Sequence, residues 1–296
     1  MTGTWWTPRR RTHAWLAAQM ACCVGAFALV YWFTVQTITG RELADAALRG
    51  AELGRSRAAG PVGTALDVVS VTTLIAAVAA IAVVALIRMR RTSGLVAIGL
   101  LIAANASGRI LKAYVLPRDD LGLAESAPAT LNSLPSGHTT AAFSIGVAAV
   151  VVVPAWLRSA TAAVGILFSS AVAIATMSAG WHRAADSLAS FFLVTAWAML
   201  AAVVLLLAEP DFTPAVRPAR GAHGAGRWWA AAATGLTLLA GVLVAVLGAD
   251  AEVRGSVLGP PTAFVAGSLL IVGTSAAMTV IVLRSVARVS DPARED

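Results

Sequence analysis

Apolar runs follow one another along this chain near residues 14–36, 65–87, 94–111, 138–157, 160–180, 187–208, 228–248 and 262–283. Each is close to the roughly 20 residues needed to cross a hydrocarbon core about 30 Å thick. The pattern predicts an all-α, polytopic membrane protein with eight spans. Two interruptions are long. Segment 37–64 mixes charges with Gly and Ala, and reads as an outer loop with a short amphipathic helix, a lid or spacer. Segment 209–227 is rich in Pro and Gly without apolar periodicity, and reads as a cytoplasmic linker. The expected organisation is therefore a six-span unit over 1–208, the linker, and a two-span extension over 228–296 with a short cytoplasmic tail.

Composition reinforces the pattern. Hydrophobic residues are 58% of the 296 and charged residues 12%, a balance that soluble domains of this length do not sustain. The net charge of +7 raises nucleic acid as a partner, but the arginines cluster between spans instead of forming one basic surface, so membrane topology accounts for them and no nucleic acid is expected. Arg9, Arg10 and Arg11 precede the first span, Arg88, Arg90 and Arg91 join the second and third, Arg158 follows the fourth, and Arg284 and Arg288 follow the eighth. The positive-inside rule then puts both termini in the cytoplasm and 37–64, 112–137, 181–186 and 249–261 outside, with a bacterial plasma membrane as the expected location. Cys22 and Cys23 lie within the first span and read as small buried residues. The first apolar run lacks a small-x-small cleavage site and reads as a retained anchor.

Ionisable groups near spans are costly and mark candidate chemistry. Most of these lie on the outer side. In NASGRILKAYVLPRDD, Asn105, Arg109 and Lys112 are four and three residues apart, so a helix puts them on one face; Lys112 is the only lysine, and Arg118 follows Pro117. The fourth span opens with Pro135-Ser136-Gly137-His138, where Ser136 can cap, Gly137 allows a tight turn, and the free N–H groups of a helix start form an anion site beneath His138. In SAGWHRAADS, His182 and Asp186 are four apart, so a helix beginning by His182 lets the carboxylate hold one ring nitrogen and leaves the other as base or nucleophile. Two cations, a helix start, two histidines and a carboxylate make a phosphate site with acid and nucleophile included. The donor set is poor for a metal, since the aspartate is engaged by histidine; neither a metal nor another cofactor is expected.

These residues resemble the type 2 phosphatidic acid phosphatase (PAP2) superfamily of integral-membrane lipid phosphatases. The likeness rests on KAYVLPR (Lys112 to Arg118), PSGH (135–138) and His182 with Asp186 in GWHRAAD, and covers about residues 14–208. It implies a six-helix core in which His182 attacks phosphorus, Asp186 orients it, His138 protonates the leaving group, and Lys112, Arg118 and the Ser136–Gly137 backbone bind phosphate. The implied substrate is a lipid phosphate or diphosphate, either a prenyl carrier such as undecaprenyl diphosphate or a phosphatidic acid type, hydrolysed at the outer face. Two departures stand out. Five residues instead of six separate Lys112 from Arg118, with Asp119 where proline is usual, and Thr176 stands where the family has an arginine six positions before the histidine.

Arg109 is expected to supply that missing cation, with pairing to Asp67 as its structural alternative. Arg183, rotated about 100° from its neighbour on a helix, is expected to point away from the site and reach the membrane interface. The rival functional classes are a non-catalytic lipid-phosphate binder or transporter and a phospho-head-group transferase.

Overall fold

A computed structural model describes residues 6–67, 71–123, 132–208 and 223–290, and all regular structure among them is helical. The helices are α1 (Trp6–Gln36), α2 (Ile38–Asp67), α3 (Val71–Ile87), α4 (Arg91–Ile110), α5 (Gly137–Val152), α6 (Ala155–Ser178), α7 (Ala184–Ala208), α8 (His223–Ala249), α9 (Ala251–Gly255) and α10 (Gly259–Ser290); a π-helical turn, Leu111–Val115, prolongs α4. Six of them, α1, α4, α6, α7, α8 and α10, contain segments long and apolar enough to cross a bilayer. The protein is membrane-embedded. At the expected second and fourth spans stand α3 and α5, with 17 and 16 residues, which rise only about 24 to 26 Å.

Segment 37–64 is no surface loop with a short helix. From residue 38 onward it lies within the 30-residue α2, because RELADAALRGAEL is dense in the strongest helix formers, Ala, Leu, Arg and Glu. This helix packs into the bundle against α10, α6 and α1, burying Arg41, Asp45, Ala46, Ala47, Leu48 and Ala51. Gly50 meets the Pro260 carbonyl so closely that a β-carbon would collide with it. Of the expected linker, residues 209–222 lie outside the described residues, and α8 already begins at His223.

Small residues and buried hydroxyls join the helices, as in membrane interiors where apolar burial alone gives no preference for protein over lipid. On α5 and α6, Gly146 and Gly165 face each other with backbone against backbone, a β-carbon on Gly146 falling 3.2 Å from the Gly165 Cα. Between α5 and α7, Phe143 and Phe191 pack edge to face with centroids 4.9 Å apart. The hydroxyls of Ser169 and Ser275 are 3.0 Å apart across α6 and α10, and Trp197 Nε1–H donates to Ser107 Oγ at 2.9 Å from α7 to α4. Because α10 packs against α2, α6 and α7 as well as α8, the C-terminal helices share a core with the rest.

The two ends of the bundle differ in charge chemistry. At one end Arg88 donates to the Val152 carbonyl, Arg158 donates to Ser290 Oγ at 2.8 Å, Arg9 donates to the Leu206 carbonyl, and the Arg288 guanidinium lies 4.0 Å over the Trp15 ring. Arg88 and Arg9 thereby satisfy carbonyls at the ends of other helices, while Arg158 meets a hydroxyl and Arg288 an aromatic face. The opposite end gathers the C-terminus of α4, the start of α5 and the α6–α7 corner.

Close approach at Gly146 and Gly165 predicts a specific weakness. Gly146→Val should lower stability by about 1–3 kcal/mol, read as a fall in the thermal midpoint of the detergent-solubilised protein, whereas Gly99→Val, with open space around its Cα, should change it far less.

Candidate active site

The sequence SAGWHRAADS forms a corner between α6 and α7. Gly180 turns the chain with a φ of +78°, a left-handed conformation that costs a residue with a β-carbon about 1–2 kcal/mol. The Thr176 carbonyl then accepts the N–H groups of Trp181 at 3.0 Å and His182 at 3.3 Å. Thr176 is fully buried, and at this position the chain anchors the corner by its backbone.

Helix α7 begins at Ala184, two residues later than the sequence expectation, yet the histidine and carboxylate still meet. Asp186 is in the first turn of α7, and its carboxylate turns back over the helix start to accept the Arg183 N–H at 3.0 Å, as a capping acid does. In that position it also accepts His182 Nδ1–H at 3.1 Å, and the Ser133 side chain hydrogen-bonds to it. His182 and Asp186 are both buried. With Nδ1 engaged, His182 Nε2 is the nitrogen left for chemistry.

PSGH is joined to this corner through the backbone. Ser136 N–H donates to the Asp186 carbonyl at 3.0 Å, and Ser190 Oγ–H lies 2.9 Å from both the Asp186 and Ser136 carbonyls. Ser136 Oγ caps α5 by accepting Thr139 N–H at 3.3 Å, and Thr139 Oγ1 lies 3.0 Å from Ser187 Oγ on α7. The starts of α5 and α7 are thus stitched together by hydroxyls buried within the protein. The outcome is that the ring centroids of His138 and His182 stand 6.3 Å apart, with Trp181 5.6 Å from His138.

Beside the histidines opens a cavity of about 310 Å³, walled by Asn105, Gly108, Arg109 and Lys112 from α4 and its π turn, by Pro135, Gly137, His138, Thr140 and Ala141, and by Leu74 of α3. Asn105, Arg109 and Lys112 do line one face, with Asn105 Nδ2 donating to Ser144 Oγ at 3.0 Å. Neither Arg109 nor Lys112 has a hydrogen-bond or ion-pair partner among the described residues. Asp67, the alternative partner of Arg109, lies where side chains are outside the described residues.

Not every expected phosphate ligand lines this cavity. Arg118 is half-buried on the extended segment after the π turn and is not among the cavity's walls. That segment is held by Tyr31 Oη–H and Gln36 Nε2–H donating to the Pro117 carbonyl at 2.7 and 3.1 Å. Ser136 is fully buried, its side chain used as a cap, so its neighbour Gly137 is the residue that reaches the cavity. His182 stands behind His138 instead of forming a wall. Among the described residues no three His, Cys, Asp or Glu side chains gather as a metal ligand set.

Arg183 does not point to the membrane interface. It is 2% exposed, and its Nη2 lies 3.4 Å from Asp45 Oδ1 on α2. The expectation assumed that the helix included His182; with α7 starting at Ala184, Arg183 sits in the corner, where helical rotation does not apply. Ser133, Thr139, Ser187 and Ser190 went unrecognised in the sequence, although the hydroxyl density of LNSLPSGHTT signals a capped start.

No protein-family model matches the chain, and neither a curated protein nor a solved structure is significantly similar to it.

If the left-handed turn holds the corner, Gly180→Ala should cost about 1–2 kcal/mol of stability and loosen His182. Chemical denaturation monitored by Trp fluorescence checks the first effect, and proteolytic cleavage at the α6–α7 corner, faster than in the wild type, checks the second.

Proposed function

We propose that this protein is a lipid phosphate phosphatase of PAP2 type, hydrolysing a lipid phosphate or diphosphate through a phosphohistidine. One observation carries the reading: His182, with Nδ1 fixed by the Asp186 carboxylate, stands behind His138, ring centroids 6.3 Å apart, and His138 walls a cavity that also bears Arg109 and Lys112. A phosphate drawn to the two cations and the start of α5 has a nucleophile and a proton donor at hand.

In this mechanism the His182 Nε2 lone pair forms a bond to phosphorus while the bond to the ester oxygen breaks. His138 gives its proton to the departing alkoxide. Asp186 keeps His182 in the tautomer with Nε2 unprotonated and stabilises the positive charge that the phosphorylated ring acquires. Neutral His138 then takes a proton from water as the water oxygen attacks phosphorus, the N–P bond breaks, and inorganic phosphate leaves. Arg109 and Lys112 neutralise the equatorial oxygens, the largest source of stabilisation in phosphoryl transfer. Arg109 lies three residues before Lys112, about 4.5 Å lower along the axis, and takes the place of the cation absent at Thr176.

The arginine-rich end of the bundle is assigned to the cytoplasm by the positive-inside rule, which directs the site to the outer face of the plasma membrane, with α3 and α5 completing eight spans. In a background with Cys22 and Cys23 replaced by Ser, cysteines at exposed Ala113 and Thr92 should react with an impermeant thiol reagent from opposite sides of the membrane. Labelling from one side only would remove this topology.

Purified protein should release inorganic phosphate from a lipid phosphate in chelator and be inhibited by vanadate. His182→Ala should abolish release while lipid-phosphate binding persists, because the nucleophile acts on the transition state and the cations are separate from it. Binding without turnover by the wild type would favour the non-catalytic reading, and phosphate transfer to an alcohol without release would favour the transferase. Arg109→Gln should lower turnover about hundredfold, the scale expected for one transition-state charge contact; near-native turnover would leave Arg109 without a catalytic role.

A further inference from the structure

The six-helix likeness gives no role to α2 or to the C-terminal helices, yet these elements converge on the corner that holds His182. Asp45 sits on the buried face of α2 with its side chain 5% exposed, and ion-pairs with Arg183, the residue after His182, whose side chain is 2% exposed. Asp45 also pairs with Arg49 one turn along, at 2.8 Å. Helix α2 is fixed in its turn by the other end of the chain: Arg254 of α9 donates to Glu42 Oε2 at 2.6 Å, and Gly50 abuts Pro260 of α10. Helix α10 also backs the corner directly, where a β-carbon on Gly267 would lie 3.1 Å from the Ala184 Cβ of α7 and 3.4 Å from Met177 Sδ of α6. The corner is therefore gripped from behind by helices that contribute nothing to the cavity wall.

We infer that Asp45 is a positioning residue for His182, acting through its buried ion pair with Arg183; this rests on the catalytic reading of His182 given above. The physical reason lies in the two ends of Arg183. Its backbone N–H is bound by the Asp186 carboxylate that also holds the His182 ring, and its guanidinium is bound by Asp45. A displacement of the guanidinium is thus transmitted to the carboxylate that sets the tautomer and orientation of the histidine. A buried charge also has no cheap alternative position: without Asp45, Arg183 is left with its remaining contacts in a region of low polarity, and the arrangement relaxes by moving the corner. The pair tethers chemistry on α7 to a scaffold of α2, α9 and α10, and so gives the C-terminal helices a part in the active site without a residue in it.

The test compares wild type, Asp45→Asn, and the double variant Asp45→Asn/Arg183→Met, which removes both charges, in lipid-phosphate hydrolysis and in labelling of His182 by diethyl pyrocarbonate read by mass spectrometry. Asp45→Asn should lower kcat about tenfold to hundredfold with KM within twofold, as a misplacement near an ångström does, and should raise the rate of His182 labelling. A structural role alone lowers the yield of folded protein and leaves kcat per folded molecule unchanged. If Asp45→Asn does not fold, the double variant, which leaves no buried charge uncompensated because the Arg49 side chain is partly exposed to solvent, is read in its place with the same expectations. Should the wild type show no turnover, the phosphatase reading fails and labelling alone decides: faster labelling in the variant upholds the tether. Turnover within twofold of wild type, or, for an inactive protein, unchanged labelling, overturns it.

Discussion

Asp186 is the residue on which the site depends. It is a capping acid, a histidine partner and, through its own backbone carbonyl, the acceptor for Ser136 N–H. A single residue therefore fixes where α7 starts, how His182 is turned, and where α5 begins relative to both. Buried among the helices, these groups have little water to take over any of the contacts, so each must be met by protein. The surrounding hydroxyls of Ser133, Ser187, Ser190 and Thr139 make that possible: they satisfy the polar groups of two helix starts without bringing charge into the corner.

A second level of organisation concerns charge. At the arginine-rich end, cations find carbonyl ends of helices, hydroxyls or an aromatic face. At the other end, Arg109 lies in the last turn of α4 and Lys112 in the π turn beyond it, where unsatisfied carbonyls favour positive charge. The local field that suits a cation at a helix terminus is thus the same field that keeps two cations beside the start of α5. Their placement follows from helix electrostatics before any ligand is considered.

Much of this was legible in the sequence because it is local. PSGH announces a cap and a turn, and His182 with Asp186 announces a contact one turn apart, both decided by residues within a few positions of one another. The number of long apolar helices was less legible, since runs over 65–87 and 138–157 are apolar enough to read as spans while the helices formed there are short. What stayed hidden was tertiary. RELADAALRG reads as a helix but does not reveal which face is buried, and Arg183 could be sent the wrong way because its direction depends on a helix start only two residues off. Its partner lies 138 positions away, beyond the reach of any periodicity. Where Arg118 lies was hidden for a related reason: the path of the extended segment is set by Tyr31 and Gln36 of α1.

The cavity has walls of unequal rigidity. Those from α4 and α5 are packed against α7, whereas α3 touches mainly α4 and α5 among the described residues. Displacing α3 outward breaks less packing than moving α4 or α5, and in a membrane the space it vacates fills with hydrocarbon at little hydrophobic cost. Leu74 is therefore carried by the cavity wall whose outward movement breaks the fewest helix contacts.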